Sequence, residues 1–118
     1  MEIDKRIFRS YDIRGEYNTQ LRDIDAYHIG RALATIMSRD KHDTCVVGHD
    51  NRLSGEALTS NLIKGLTDGG INVKNIGLVT TPMLYFASLH LRIEPAVMVT
   101  ASHNPVNDNG FKISFKNL

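Results

Sequence analysis

Apolar side chains recur at three- and four-residue steps through Ile24, Tyr27, Ile29, Ala32, Leu33, Ile36 and Met37. That spacing gathers them on one helix face and predicts a helix over 23–39. Residues 44–47 form a short, partly β-branched apolar run ending at Gly48, and the turn formers Gly48-His49-Asp50-Asn51-Arg52 follow, so a strand runs into a loop. Ser54 can cap a second helix, in which Leu58, Leu62 and Leu66 repeat every fourth residue until Asp68-Gly69-Gly70 ends it. Strand character resumes over 71–76. Thr81-Pro82 has the form of an N-cap with proline at the first helical position, opening a third helix that runs to residue 91, and 96–100 reads as the next strand.

Strand, helix, strand, helix, strand in this order is the signature of parallel βαβ units, whose crossover helices pack on the sheet. The predicted class is α/β, a three-layer α/β/α arrangement with a mainly parallel mixed sheet. Between Thr100 and Phe111 there is no room for another crossover helix, so the last strand, over 111–115, must be antiparallel or at the edge. Phe111, Ile113 and Phe115 alternate on one face of it, with Lys112, Ser114 and Lys116 on the other. Residues 1–118 read as one domain, without repeats or linkers. Because the chain stops just past a strand with no helix to cover it, a fragment of something longer is expected.

Composition changes this picture little. The chain has 118 residues, 42% hydrophobic and 23% charged, ordinary for a globular domain large enough to bury one core. Fourteen basic residues against 13 acidic leave a net charge of +1 with no run of one sign, so neither nucleic acid nor a membrane surface is an expected partner. The single cysteine, Cys45, lies inside an apolar run; it can form no intrachain disulfide and is expected to be buried and inert. With no signal-like N-terminus and no long apolar segment, the expected compartment is the cytoplasm.

Ligands of open α/β sheets bind beyond the carboxyl ends of the parallel strands, which directs attention to the loops after Val47, Ile76 and Val99. The first and last are polar. In Thr100-Ala101-Ser102-His103-Asn104-Pro105, Ser102 is the natural nucleophile, and His103 or Lys112 could take its proton. Residue types alone leave an activated serine and an ordinary polar turn equally open. Arg14, in Tyr11-Asp12-Ile13-Arg14-Gly15, has the planar fork that suits a phosphate, although a solvated loop arginine fits as well. His28, His42 and His90 are dispersed and lack metal-ligand spacing. A serine hydrolase is disfavoured because Thr100 and Asn104 stand where a nucleophile elbow has glycines, and neither a Rossmann glycine motif nor a Walker lysine motif is present.

The serine loop followed by Asn109-Gly110-Phe111-Lys112-Ile113 resembles the phosphoserine loop of the α-D-phosphohexomutase family, the phosphomannomutases and phosphoglucomutases. Tyr11-Asp12-Ile13-Arg14-Gly15, Gly48-His49-Asp50-Asn51-Arg52-Leu53-Ser54-Gly55 and Thr81-Pro82-Met83-Leu84-Tyr85-Phe86-Ala87 resemble further signatures of that family in the same order. The chain departs from the common pattern at His49, where arginine is frequent, and at Ala101, where glycine is often found.

The resemblance implies a four-domain enzyme of which residues 1–118 are a truncated domain I, inactive alone and dependent on the remaining domains of its own chain. Such an enzyme interconverts hexose 1-phosphate and hexose 6-phosphate, of mannose or glucose, through a phosphoserine and a hexose 1,6-bisphosphate intermediate. By position, Ser102 would carry the phosphoryl group, His103 would be an acid/base or phosphate contact, and Lys112 the general base or charge partner. Tyr11, Arg14 and Asn104 would bind phosphate or substrate, while Asp50 and Arg52 would support the loops. A magnesium ion is implied too, its only ligand from this chain being the phosphate on Ser102, since the family's Asp-Gly-Asp-x-Asp loop is absent. The alternative is a non-catalytic homologue that binds a phosphosugar or a protein.

Overall fold

A computed structural model of the chain describes residues 2–8, 12–102 and 104–115. After a 3-10 turn at Lys5–Ile7 come β1 (Ile13–Glu16), α1 (Asp23–Arg39), β2 (Thr44–His49), α2 (Gly55–Asp68), β3 (Asn72–Leu78), α3 (Thr81–Leu91), β4 (Ala96–Val99) and β5 (Asp108–Ser114). The sheet order is β1-β5-β4-β2-β3. Strands β4, β2 and β3 pair in parallel, and β5 runs antiparallel to both β4 and β1, so β5 alone points against the other four. The short return from Thr100 forces that reversal. Strand β1 takes the edge beside β5, and its Ile-Arg-Gly-Glu sequence carries no hydrophobic alternation that would reveal it.

Helices α1 and α2 cover one face of the sheet. Cys45, Val47, Val97, Val99 and Phe111 meet Ile29, Leu33, Met37, Leu58, Leu62 and Leu66 there in one buried cluster. Helix α3 covers part of the other face through Val46, Leu84, Ala96 and Met98. The expected three α/β/α layers result. Since each fully buried aliphatic side chain stabilises by roughly 1.5–3 kcal/mol, the larger cluster carries most of the fold's stability.

Helix α1 spans the predicted residues but is rotated from the expected face. Ile24 is exposed, whereas Ala26, Ile29, Gly30, Leu33, Ala34 and Met37 are buried. Small residues win because α1 presses on α2 as well as on the sheet: a Cβ at Gly65 would stand 2.1 Å from the Tyr27 carbonyl oxygen and 3.0 Å from the Gly30 Cα.

Two caps also differ from expectation. Ser54 makes no side-chain cap to α2, and its Oγ instead accepts a 2.7 Å hydrogen bond from Asn109 Nδ2. Helix α3 is capped by Thr80, whose Oγ1 accepts from the Met83 amide at 3.3 Å, so Thr81 and Pro82 form its first turn. Cys45 is fully buried, and burial pushes its thiol pKa up to about 12. Among the described residues no helix is long and apolar enough to cross a membrane.

Candidate active site

The polar loops converge where the parallel strands end, as the strand directions require. Asp50 follows β2 and donates its amide to the Val99 carbonyl at 3.1 Å, while Thr100 follows β4 and donates its amide to the Gly110 carbonyl at 2.8 Å. Two residues beyond Thr100, Ser102 is exposed and has φ +54°, a left-handed conformation that costs a non-glycine residue roughly 1–2 kcal/mol. Its hydroxyl forms no hydrogen bond with any described residue. A nucleophile left bare in this way is open to a ligand.

Side chains hold the backbone around it. The Ser102 amide donates to Thr100 Oγ1 at 3.0 Å, and the Thr100 hydroxyl donates to Asp50 Oδ2 at 2.5 Å. Arg52 Nη2 donates to the carbonyls of Ser102 at 2.7 Å and Asn104 at 3.0 Å, and Nη1 to those of Pro105 at 2.7 Å and Asp108 at 2.9 Å. Asp50 ties the two together, accepting the Arg52 amide on Oδ1 at 3.2 Å with Arg52 Nε 3.6 Å from Oδ2. Four donors spent on carbonyls leave the Arg52 fork committed to the loop.

A second arginine reaches the loop from the sheet edge. Arg14 lies opposite Gly110 in the β1–β5 ladder, and its Nη1 donates to Asn104 Oδ1 at 2.7 Å. Asn104 Nδ2 in turn donates to Asp108 Oδ2 at 3.1 Å. Gly110 makes the approach possible, since a Cβ there would lie 2.9 Å from the Arg14 Cγ and 2.0 Å from the Ile13 carbonyl oxygen. Arg14 Nε is also 3.1 Å from Asp12 Oδ1, an ion pair by distance although neither atom has an aligned hydrogen bond.

Lys112 pairs with Met98 in the β4–β5 ladder. It therefore shares the α3 side of the sheet with Arg14, one two-residue step, roughly 7 Å, along β5 from Gly110. No hydrogen bond or ion pair holds it among the described residues, and no contact joins it to Ser102. The structure thus brings Ser102, Asp50, Arg52, Asn104 and Arg14 into one web and leaves Lys112 free beside it. Tyr11 and His103 lie outside the described residues.

Two further residues that support this end of the sheet are given no role by the sequence reading. Thr100 reads as a strand end and the first residue of the serine loop but receives no role, because nothing in sequence reports that its hydroxyl meets Asp50 across 50 positions of chain. Asn109 is fully buried and spans from its own strand to Ser54 at the start of α2. Its place at the head of the Asn109-Gly110-Phe111-Lys112-Ile113 signature is the signal that could have singled it out.

Among the described residues, the carboxylates around the serine loop do not gather as a magnesium site. Asp50 is held by Thr100 and Arg52, Asp108 by Asn104, and Asp12 faces Arg14. Among the described residues, three metal-type donors gather only at Asp40, His42 and Glu94, within 4.8 Å of one another at the opposite end of β2 and β4. His42 Nε2 lies 3.3 Å from Asp40 and 3.6 Å from Glu94, and both carboxylates have further partners, so the group reads as a polar cluster joining two turns.

A family model described as phosphoglucomutase/phosphomannomutase, α/β/α domain I, matches residues 5–117. The chain belongs to that family, the α-D-phosphohexomutases, as domain I. It is similar to a phosphoglucomutase of Neisseria gonorrhoeae, 48% identical over 111 residues, covering 94% of this chain and 24% of that protein. A phosphomannomutase/phosphoglucomutase of Pseudomonas putida is 50% identical over 107 residues, 91% of this chain and 23% of its own length. A crystal structure of a phosphoglucomutase/phosphomannomutase family protein from Burkholderia thailandensis superposes with a TM-score of 0.90 at 39% identity, over 96% of this chain and 26% of that one. The chain thus spans about a quarter of the length of these relatives.

Proposed function

We propose that this phosphohexomutase domain I supplies the phosphoryl-carrying serine of a four-domain enzyme that interconverts hexose 1-phosphate and hexose 6-phosphate, with mannose or glucose as the hexose. The observation that carries the reading is Ser102, exposed and left-handed at the carboxyl ends of the parallel strands, in a loop clamped by Arg52 and approached by Arg14.

When phosphoserine 102 donates, the Oγ–P bond breaks, a bond from phosphorus to a sugar hydroxyl oxygen forms, the hydroxyl proton passes to a base, and the leaving Ser102 Oγ takes up a proton from an acid to become the free hydroxyl. Lys112 is the candidate base on this chain, unpaired on the same side of the sheet as Arg14; His103 is the candidate acid/base or phosphate contact next to the serine. Arg14, positioned by Asn104, and Tyr11 would receive phosphate. The hexose 1,6-bisphosphate so formed reorients and returns its other phosphoryl group to Ser102. Asp50 and Arg52 support the loop.

Magnesium, if used, is held mainly by residues outside this chain, which contributes a phosphate oxygen on Ser102 and no carboxylate set. The partners are then a phosphosugar and the remaining domains of the full-length chain. A lone buried cysteine fits a reducing compartment, and we place the enzyme in the cytoplasm.

Intact mass with phosphopeptide mapping on the protein isolated from its source tests the reading. One phosphoryl group on Ser102, and loss of nearly all turnover in Ser102→Ala, is the expected result. An unmodified Ser102 in a protein without mutase activity would favour the phosphosugar- or protein-binding alternative.

A further inference from the structure

Both peptide groups that flank the Ser102 Cα are pinned by side chains rather than by the sheet. Its amide is bound by Thr100 Oγ1 at 3.0 Å and its carbonyl by Arg52 Nη2 at 2.7 Å. Both holders rest on one carboxylate: Asp50 Oδ2 accepts the Thr100 hydroxyl and lies 3.6 Å from Arg52 Nε, and Asp50 Oδ1 accepts the Arg52 amide. Thr100 is almost completely buried, and its hydroxyl both donates and accepts, so its orientation is set. Asp50 is itself anchored, since its amide is bonded to the Val99 carbonyl at the end of β4.

We infer that Thr100 is a positioning residue for phosphoryl transfer: oriented by Asp50 and assisted by Arg52, its hydroxyl holds Ser102 in the left-handed conformation that presents Oγ to the cleft. The inference rests on the proposed mutase reading for its catalytic consequence, but not for its structural one. A left-handed serine is disfavoured on its own by roughly 1–2 kcal/mol, so without the pin the loop samples right-handed and extended conformers. In those conformers the Oγ vector departs from the line of transfer, and small misplacements of reacting groups are costly in rate. Substrate contacts are untouched. The loss therefore falls on kcat and leaves KM alone. The arrangement also separates the two arginines that reach the loop by role, with Arg52 committed to carbonyls and Arg14, held by one hydrogen bond to Asn104 and an ion pair with Asp12, leaving Nη2 available to a ligand.

The test compares Thr100→Val, which keeps the shape and removes the hydroxyl, with Thr100→Ser, which restores it. In the 118-residue chain, amide hydrogen exchange by NMR reads the pin directly. Ser102 in T100V should exchange at least tenfold faster than in the parent, T100S should return to within threefold, and the amides of β4 and β5 should be unchanged in both. In the full-length enzyme, T100V should lower kcat at least tenfold with KM within twofold, and T100S should recover most of it. Unchanged Ser102 exchange in T100V, or a T100S variant as impaired as T100V, would overturn the positioning role. Faster exchange with parental kcat would overturn its catalytic relevance. Absence of mutase turnover in the parent enzyme would count against the proposed function alone, and the exchange data would still decide the role of Thr100.

Discussion

Residue identity decides who is free to react. Arg52 and Arg14 carry the same guanidinium, yet the first directs four hydrogen bonds at loop carbonyls and the second makes one, to Asn104, beside its ion pair with Asp12. Lys112, with no partner among the described residues, is the group with chemistry to spare. In the full-length enzyme Lys112→Met should lower kcat by about 10²-fold or more, the range of general acid–base catalysis, with little change in KM. Steady-state kinetics check this, and a loss confined to KM would argue against a base. Cys45 is the opposite case, a nucleophile removed from chemistry by burial. Its thiol pKa is about 12 in the folded chain against 9.0 for the ordinary group. Below pH 9 both states keep the proton; between 9 and about 12 only the unfolded chain releases it, so this residue's contribution falls as pH rises through that window. Stability measured by urea unfolding should decline there, the decline should be smaller in Cys45→Ala, and a thiol reagent should modify the native protein far more slowly than the unfolded one.

At the scale of elements, periodicity reads through wherever one face is buried and the other is not. Leu58, Leu62 and Leu66 mark α2, and all three are fully buried. The same reading turns α1 too far toward Ile24, because hydrophobicity measures transfer from water and is blind to distance of approach. What orients α1 is the contact with α2, where Gly65 stands against Tyr27 and Gly30. Gly65→Ala must push the helices apart and should cost roughly 1–3 kcal/mol, the range for overpacking, read as a lower urea midpoint at unchanged m-value. An unchanged midpoint would mean that the two helices separate without penalty. Strand β1 is illegible for a different reason: Arg14 and Glu16 are polar and Gly15 has no side chain, so pairing with β5 defines it.

For the whole molecule, one domain assembles a loop and a clamp but few cations. Phosphates on Ser102 and on an incoming sugar about 5 Å apart repel by roughly 3 kcal/mol per unit pair at an effective dielectric of 20. Among the described residues, Arg14 and Lys112 are the cations near the serine loop that are not committed to holding it, and no cluster of metal-type donors accompanies them. The purified 118-residue chain should therefore fold, with a cooperative unfolding transition, yet show no turnover of glucose 1-phosphate; measurable turnover would contradict the need for further domains. The α/β class, the two longer helices, a last strand either antiparallel or at the edge, and the serine loop with its family signatures were all determined by sequence alone. Each of these depends on residue type and short-range spacing. The edge position of β1, the interior place of the last strand between β1 and β4, the rotation of α1, the capture of Ser54 by Asn109 and the part Thr100 plays beside Asp50 and Arg52 in holding Ser102 were decided only in three dimensions. Those contacts join residues some 50 to nearly 100 positions apart or depend on how closely two backbones approach, and no local pattern encodes either.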